Sequence, residues 1–310
     1  MNIKTLSLIV LILGGIYGAI YFLDLNKNES TISIENLEID TAAIDVIRFK
    51  PELTNRQELI LTRTEEGWKV GNSDKEFKAD AQSIEVMLRE LKNLRINRMA
   101  GTKAEAWAKF ELTDSAGTPV SIESNGKTML SMVVGNFDFD QQTQQPLTYI
   151  RFNNDQKSWL VNGYLPGLFN RDLASYRNKM LTRFESSQIN KVTFTYPGDS
   201  SFVLSKNNGI WFRNMQAIDS LACKNYIAGL GKISSPGIIE ENINLQSLPV
   251  SHTIKIEGDS IGTIEIKAYA GHPLYPVILS SSMNQECLFK ADANKTFEQY
   301  FVSPRKFDIN

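Results

Sequence analysis

The sequence predicts an α+β fold: an N-terminal transmembrane helix followed by two tandem repeats, each a mainly antiparallel sheet with one main packed helix. Three observations predict it: an uncharged apolar segment near the start, one pattern of strands and helix that occurs twice, and hairpin-length turns between the strands. Short turns connect antiparallel strands, whereas parallel strands need long crossovers. A doubly wound parallel fold is therefore not expected.

The first predicted element is the segment from Thr5 to Leu23, which has 19 residues and no charge. As a helix it would span roughly 28 Å, close to the thickness of a hydrocarbon core. Lys4 precedes it and acidic residues follow it, which predicts a cytoplasmic N-terminus and a periplasmic location for the rest of the chain. Residues 1–24 are therefore expected to anchor the protein in the inner membrane. A cleaved signal peptide is the alternative, although its apolar region is normally only about 7–15 residues long.

Gly14 and Gly18 are the candidate helix-pairing residues within this segment. A small-xxx-small pair lets two transmembrane helices approach closely. A homodimer that pairs through these glycines is a minor hypothesis, because chance glycines in an anchor are at least as common.

The first predicted repeat covers residues 25–182. It opens with "IDTAAIDVIRF", continues to a strand that carries Trp68, and then shows helical spacing in "ADAQSIEVMLRELKNLRI", with Asp80 as the N-cap. After the helix, Asn125-Gly126 separates two extended runs, which is a strong hairpin signal.

The second predicted repeat covers residues 183–310 and contains the same elements. Its opening, "FESSQINKVTF", lies 145 residues after that of the first repeat, and Trp211 matches Trp68. Gly258 is matched to Gly126, and the offset falls to 127 near the end, which indicates shorter loops. Each repeat is expected to have the order β-β-β-α-β-β-β-β.

Composition and motifs give little support to catalysis. Lys and Arg total 33 against 35 Asp and Glu, so no basic field favours nucleic acid. The two histidines, His252 and His272, fall on different predicted elements and form no zinc motif. Ser303 and Lys306 give one S-x-x-K match, but Pro304 interrupts it. We therefore predict no enzyme, catalytic residue, metal or cofactor.

The only two cysteines are Cys223 and Cys287. An oxidising periplasm would allow them to pair. Both have apolar neighbours, however, and buried free cysteines are common, so free and buried thiols are favoured over a disulfide.

Two loops differ between the repeats and are the candidate interaction loops: residues 99–111 with Trp107, and residues 138–146 with Asp138 and Asp140. The two aspartates lie two apart in an extended segment and hence on one face, where they could bind Ca²⁺ or act as an acid and base. A polar hairpin loop is the preferred interpretation.

The tryptophans raise the alternative of a glycan-binding module, since exposed aromatic rings can stack on sugars. Trp68 and Trp211 occupy matching positions, which favours packing against the helix that follows each of them.

The order "GWKV", "LKNLRI", "FELTDSAGTPVSIES", "VVGN", "YIRF" and "YRNKMLTRFESSQINKVTF" resembles the bacterial family called domain of unknown function 4340. One departure is the lack of a clear tyrosine-glycine-leucine-aspartate-proline motif after the helix. The resemblance implies a single-anchor envelope protein encoded beside ABC-type permeases and auxiliary proteins, including a set associated with gliding motility. It implies no catalytic residue.

The expected function is thus a non-enzymatic, membrane-anchored periplasmic scaffold or accessory subunit of an ABC-type envelope transporter. Its expected partners are the inner membrane, the permease and an auxiliary envelope protein. A periplasmic glycan-binding module is the alternative, and a hydrolase that uses Asp138 and Asp140 is a weaker one.

Overall fold

The computed structural model describes residues 37–153 and 155–309 of the chain. The predicted anchor of residues 1–24, with Gly14 and Gly18, lies outside the described residues. Within the described ranges, no helix combines the length and the apolar character that a membrane crossing requires.

The first repeat forms nine strands in the described part of the chain. They are β1 Val46–Phe49, β2 Leu59–Thr64, β3 Gly67–Gly71, β4 Glu76–Lys78, β5 Ile96–Gly101, β6 Thr118–Ser124, β7 Lys127–Phe139, β8 Pro146–Phe152 and β9 Ser158–Asn162. Its helices are α1 Ala81–Lys92, α2 Pro166–Phe169 and α3 Leu173–Tyr176. Helix α1 is the long one, and it follows the fourth strand.

The second repeat follows the same plan. Its strands are β10 Met180–Arg183, β11 Ile189–Thr195, β12 Phe202–Asn207, β13 Ile210–Arg213, β14 Gln216–Ala217, β15 Lys232–Ser234, β16 Ile238–Ile239, β17 Val250–Gly258, β18 Ile264–Ala270, β19 Val277–Ser281 and β20 Asn284–Lys290. Its helices are α4 Ser220–Leu230 and α5 Thr296–Tyr300.

The two large sheets of the described chain have the same topology. The strand order is β4-β3-β2-β1-β6-β7-β8-β9-β5 in the first and β14-β13-β12-β11-β17-β18-β19-β20-β16 in the second, while β10 and β15 form a separate pair. Neighbouring strands such as β1 and β2, or β11 and β12, pair antiparallel. The predicted antiparallel, sheet-rich α+β architecture and its duplication are confirmed.

The register of the central strands also repeats. In each sheet, a central residue of β1 or β11 pairs with apolar residues on both neighbouring strands, and all of these residues are fully buried. These rows are Ile47, Leu61 and Ile122 in the first sheet and Val192, Leu204 and Ile256 in the second. The core of each repeat is thus built around equivalent strands, β1 in the first and β11 in the second.

The predicted helical spacings are also confirmed. The buried residues are Ile84, Met87 and Leu91 on α1, and Cys223, Tyr226, Ile227 and Leu230 on α4. Asp219 caps α4, because its carboxylate accepts from the backbone N–H groups of Leu221 and Ala222. Helix α1 begins directly after Asp80, the predicted N-cap.

The predicted order of elements is wrong in detail, because each repeat contains additional strands. Strands β4 and β14 precede the helix, whereas β5 and β16 follow it and form the far edge of each sheet. Strands β14 and β16 have only two residues each, too few to show an alternating pattern.

The hairpin predicted at Asn125-Gly126 is confirmed. Both residues have positive φ, 51° and 71°, as a two-residue turn of the primed type requires. The match to Gly258 is wrong, however, because Gly258 ends β17 and the connection runs through residues 259–263. A Cβ at Gly258 would collide with the carbonyl of Gln188, so this glycine allows a close backbone approach rather than a turn.

Contacts divide the chain into two compact units. Of the described residues, 37–75 and 82–173 belong to the first unit, and 76–81 and 174–309 belong to the second. The short segment 76–81 is therefore encoded within the first repeat but grouped by its contacts with the second unit.

Candidate functional site

The most distinctive surface of the first unit is the end of the β7–β8 hairpin. Strand β7 has 13 residues, whereas its counterpart β18 has seven. The additional length carries the chain into the loop that differs between the repeats. We call residues 137–146 the hairpin tip.

A bulge sets the direction of the tip. The pairing of β7 with β8 shifts between Val134 and Phe137, where two residues of β7 face one residue of β8. The bulged residue Gly135 lies against the loop that carries Trp107, and a Cβ there would collide with the carbonyl oxygen of Phe110. Asn136 then donates its backbone N–H to the same carbonyl at 3.1 Å.

Three aromatic side chains form an exposed cluster at the tip: Phe137, Phe139 and Tyr164 are 44%, 54% and 47% exposed. The ring centroid of Phe137 lies 5.7 Å from that of Phe139 and 4.8 Å from that of Tyr164, with interplanar angles of 81° and 76°. The rings therefore pack edge to face and form a continuous apolar surface. We call these three residues the aromatic cluster.

Gly167 holds Tyr164 in this cluster. The glycine lies in α2, and a Cβ there would approach two ring atoms of Tyr164 to 2.6 Å. The ring thus rests on the helix backbone at Gly167, and a side chain there would have to displace it.

The opposite side of the tip is polar, because side chains alternate along a strand. The phenol of Tyr149 lies 3.3 Å from Oδ2 of Asp138 and donates to it, and the Tyr149 ring stacks on Phe110 at 4.2 Å. Burial raises the pKa of Tyr149, and the charge of Asp138 adds to this effect. Asp138 is therefore held by a neutral phenol donor.

Asp140 closes the loop of the tip. Its Oδ1 accepts from the backbone N–H groups of Gln142 at 2.8 Å and Thr143 at 2.9 Å. The hydrogen bond from Thr143, followed by that from Gln142, lowers the pKa of Asp140. The carboxylate is therefore ionised at neutral pH and orders the turn.

The two predicted carboxylates consequently have separate structural partners. Asp138 is bound by Tyr149, and Asp140 caps the turn. Among the described residues, no group of three His, Cys, Asp or Glu side chains is placed to hold a metal ion.

Trp107, the third predicted interaction residue, contributes to the internal packing of the first unit. Its indole N–H donates to the carbonyl of Gln156 at 3.0 Å, and the guanidinium carbon of Arg151 lies 4.3 Å from the ring centroid. Arg151 is buried, donates to the carbonyl of Leu112 at 2.7 Å and pairs with Asp114. Trp107 thus anchors the loop between β5 and β6 to the sheet.

The other tryptophans are also engaged. Trp211 is buried in the core that includes α4, as the matching positions predicted, while Trp68 is half-buried below the guanidinium of Arg63 at 5.0 Å. Trp159 is buried, and its indole N–H donates to Asp155 at 3.3 Å. The exposed aromatic surface of the tip comes from phenylalanine and tyrosine.

The aromatic cluster was not predicted from the sequence. Phenylalanines that alternate in a strand usually indicate burial, and the aspartates between them are the residues with recognisable site chemistry. The difference between the two repeats in this loop was the signal that could have located the cluster.

Cys223 and Cys287 are both free and buried, which confirms the favoured prediction. Burial raises the pKa of the Cys223 thiol to about 12. Burial also raises the pKa of Cys287, although the guanidinium of Arg177 opposes the effect. Neither residue has the depressed pKa of a catalytic thiol.

The two histidines lie on separate elements, as predicted. His252 on β17 lies among the rings of Tyr196, Phe297 and Phe301, at centroid distances of 4.9, 5.1 and 5.3 Å. His272 lies in the loop after β18 and stacks on Tyr275 at 5.4 Å.

The second unit contains an open groove of about 440 Å³. Leu274, Tyr275 and Phe297 line it together with three charged residues. Both signs occur there, from Lys290, Asp292 and Glu298, so the groove has no clear charge preference.

The fold and the exposed tip define the class: a sheet-rich α+β protein with a duplicated antiparallel unit and an aromatic surface on the first copy. The family described as domain of unknown function (DUF4340) matches residues 68–247, more than half of the chain. The chain therefore belongs to the DUF4340 family, in agreement with the sequence resemblance. Neither a curated protein nor a solved structure gave a significant match.

Proposed function

We propose that this chain is a non-enzymatic, membrane-anchored scaffold or accessory subunit of an ABC-type envelope transporter, with both repeats on the periplasmic side of the inner membrane. The observation that carries this proposal is the aromatic cluster at the hairpin tip. Contiguous exposed apolar side chains often mark a binding surface on a soluble domain. The tip thus supplies a contact surface for another subunit.

Two further arguments support the transporter context. The uncharged segment from Thr5 to Leu23 is long enough to anchor the chain beside a permease. Resemblance to the DUF4340 family implies genes adjacent to ABC-type permeases and auxiliary proteins. Both arguments favour a membrane complex over a freely diffusing protein.

The geometry of the rings favours a protein partner over a glycan. A sugar stacks on the flat face of an aromatic ring, whereas these rings meet at 76° and 81° and expose a mixture of edges and faces. Such a surface fits an apolar pocket of a protein better than a saccharide.

The test is affinity purification of the full chain from detergent-solubilised membranes of its native host. We expect an ABC-type permease or an auxiliary envelope protein to be recovered in stoichiometric amounts. An unrelated single-anchor protein with the same tag is the control. Recovery of the chain without either partner would contradict the proposal.

Protease treatment of spheroplasts tests the location independently. We expect both repeats to be digested from the outside, because the predicted orientation places them in the periplasm. Digestion that requires lysis of the spheroplasts would place the repeats in the cytoplasm and exclude the proposed role.

A further inference from the structure

We propose that the aromatic cluster inserts into an apolar pocket of a protein partner whose rim carries basic side chains that face Asp138 and Asp140. This inference rests on the proposed function and specifies the chemistry of the partner at the tip. It is carried by the exposed rings, the local contacts that support them and the carboxylates on the other side of the same hairpin tip.

The rings supply the apolar part of this interface. Phe137, Phe139 and Tyr164 are each about half exposed, and burial of aromatic side chains dominates the energetics of many interfaces. The three rings are contiguous, so a single pocket can cover them together.

Local contacts support the geometry of the tip in the absence of a partner. Gly167 seats the ring of Tyr164 on α2, and Asp140 closes the loop through two backbone hydrogen bonds. Ordered surfaces lose less conformational entropy on association, which favours a defined contact.

The charges of the tip indicate which side chains line the rim of the partner's pocket. Asp138 is exposed, and Asp140 lies in the loop next to the rings. The turn hydrogen bonds lower the pKa of Asp140, and the positive charge of Arg98 adds to this effect. In the second repeat the corresponding loop, residues 271–276, contains no acidic residue. Complementary charges steer association and fix orientation, so the partner is expected to present Lys or Arg.

The same charges argue against two other occupants. In a symmetric contact between two tips, the carboxylates of one copy would approach those of the other, which is repulsive. Insertion into a bilayer would move both carboxylates out of water, which costs desolvation free energy. A basic-rimmed protein pocket avoids both costs.

The experiment places a photo-cross-linking amino acid at position 139 of the full chain in native membranes. It compares the wild-type background with Phe137→Ser and with Asp138→Asn/Asp140→Asn. The asparagines remove both charges. At position 140 the amide oxygen can still accept both turn hydrogen bonds, whereas at position 138, where both carboxylate oxygens accept, one acceptor is replaced by an NH2 group. Met215→Ser is the matched surface control, because Met215 is 92% exposed in the second unit.

We expect one major cross-linked protein, whose cross-linked peptide contains apolar residues and Lys or Arg. Phe137→Ser should reduce its yield about tenfold or more at every salt concentration, since it removes the central ring of the cluster. The charge-neutral double variant should reduce the yield about threefold to tenfold at low salt and remove its salt dependence. Met215→Ser should have no effect.

Several outcomes would overturn the inference. An unchanged yield with Phe137→Ser excludes the aromatic cluster, and unchanged salt dependence in the double variant excludes the basic rim. Cross-links to this same chain indicate a self-contact, and cross-links to lipid indicate bilayer insertion. If a permease still co-purifies in any of these cases, the proposed function stands and only the assignment of the tip fails.

Discussion

Gly135 is the residue at which the β5–β6 loop meets the first sheet. A side chain there would collide with a backbone carbonyl, which cannot rotate away as a flexible side chain can. Glycine is therefore favoured at position 135 by the close approach of the backbone and not by a positive φ angle. The bulge of β7 lies at this same contact.

Gly135→Ala should lower the free energy of unfolding by about 1–3 kcal/mol, because overpacking displaces the loop that holds Trp107. Gly229→Ala is the matched control, since nothing lies within 4 Å of a Cβ at this position in α4. The control should be stabilised by about 0.5–1 kcal/mol. Urea unfolding measures both, and equal effects of the two substitutions would contradict the interpretation.

The two thiols provide a second prediction at the residue scale. Since Cys223 and Cys287 are free and buried, neither should react rapidly with a thiol reagent in the native protein. Unfolding without reductant should release two reactive thiols per chain. If unfolding released no reactive thiol, Cys223 and Cys287 would be joined in a disulfide.

His252 predicts a pH dependence of stability. Burial lowers the pKa of this imidazole in the folded state, so the unfolded chain binds a proton more readily. Its contribution is complete above the unfolded pKa of about 6.5 and is lost as the pH falls towards the folded pKa. The urea concentration at the unfolding midpoint should therefore decrease as the pH is lowered from about 7.5 to about 5.5. The decrease should be smaller in His252→Phe. The same fall in both proteins would assign the effect to other groups.

At the scale of elements, the buried side chain of Arg151 is one of the groups that anchor the loop between β5 and β6, together with the buried Leu112 and the hydrogen bonds from Arg56. Arg151 contacts the Trp107 ring, the Leu112 carbonyl and Asp114. Because the side chain of Asp114 is 86% exposed, solvent screens this ion pair. Of the three contacts of Arg151, the ring contact and the backbone hydrogen bond should therefore contribute most.

Arg151→Met should accordingly lower the free energy of unfolding by about 2–3 kcal/mol and speed amide exchange across residues 107–112. Asp114→Asn should cost less than about 1 kcal/mol. Urea unfolding and hydrogen exchange measure these effects. If Asp114→Asn proved as damaging as Arg151→Met, the ion pair would be the main anchor.

Elements with a strong periodic or turn signal could be predicted from the sequence. The spacing of Ile84, Met87 and Leu91 located α1, and Asn125-Gly126 located the first hairpin after it. Strands β14 and β16 could not be predicted, because two residues have no period. These two segments are strands because they pair with the edge of a sheet, and not because their own sequences show a strand pattern.

The candidate site could be located only in part. Differences between the repeats pointed to residues 138–146, but the alternation rule places Phe137 and Phe139 on the face opposite Asp138. Whether that face is covered depends on how far β7 extends beyond its neighbours, which is a tertiary property. For the same reason, the sequence could not show that Trp107 would be covered by Arg151.

At the scale of the whole molecule, the two repeats share a topology but the segment 76–81 joins the second unit. Within that unit, the Arg177 guanidinium lies 3.6 Å from the ring centroid of Phe77. It also binds Glu240 at 3.0 Å and donates to the carbonyl of Glu286 at 3.3 Å. A side chain of the first repeat therefore covers a buried cation of the second unit.

Phe77→Ala should destabilise the second unit selectively, because it uncovers Arg177. Hydrogen exchange should accelerate in β16 and β20 and stay at the wild-type rate in β1 and β6. Phe77→Tyr, which preserves the ring, is the control and should exchange like the wild type. Acceleration confined to β1 and β6 would contradict the assignment of this segment.

The same segment has a consequence for the order of events during synthesis. Residues 76–81 leave the ribosome about 90 residues before the chain from Ala174 onward with which they pack. At translation rates of roughly 5–20 residues per second, they wait about 5 to 20 s for their partners. The nascent first repeat must therefore keep Phe77 available throughout that interval, and the second repeat completes its folding on a piece of chain already made.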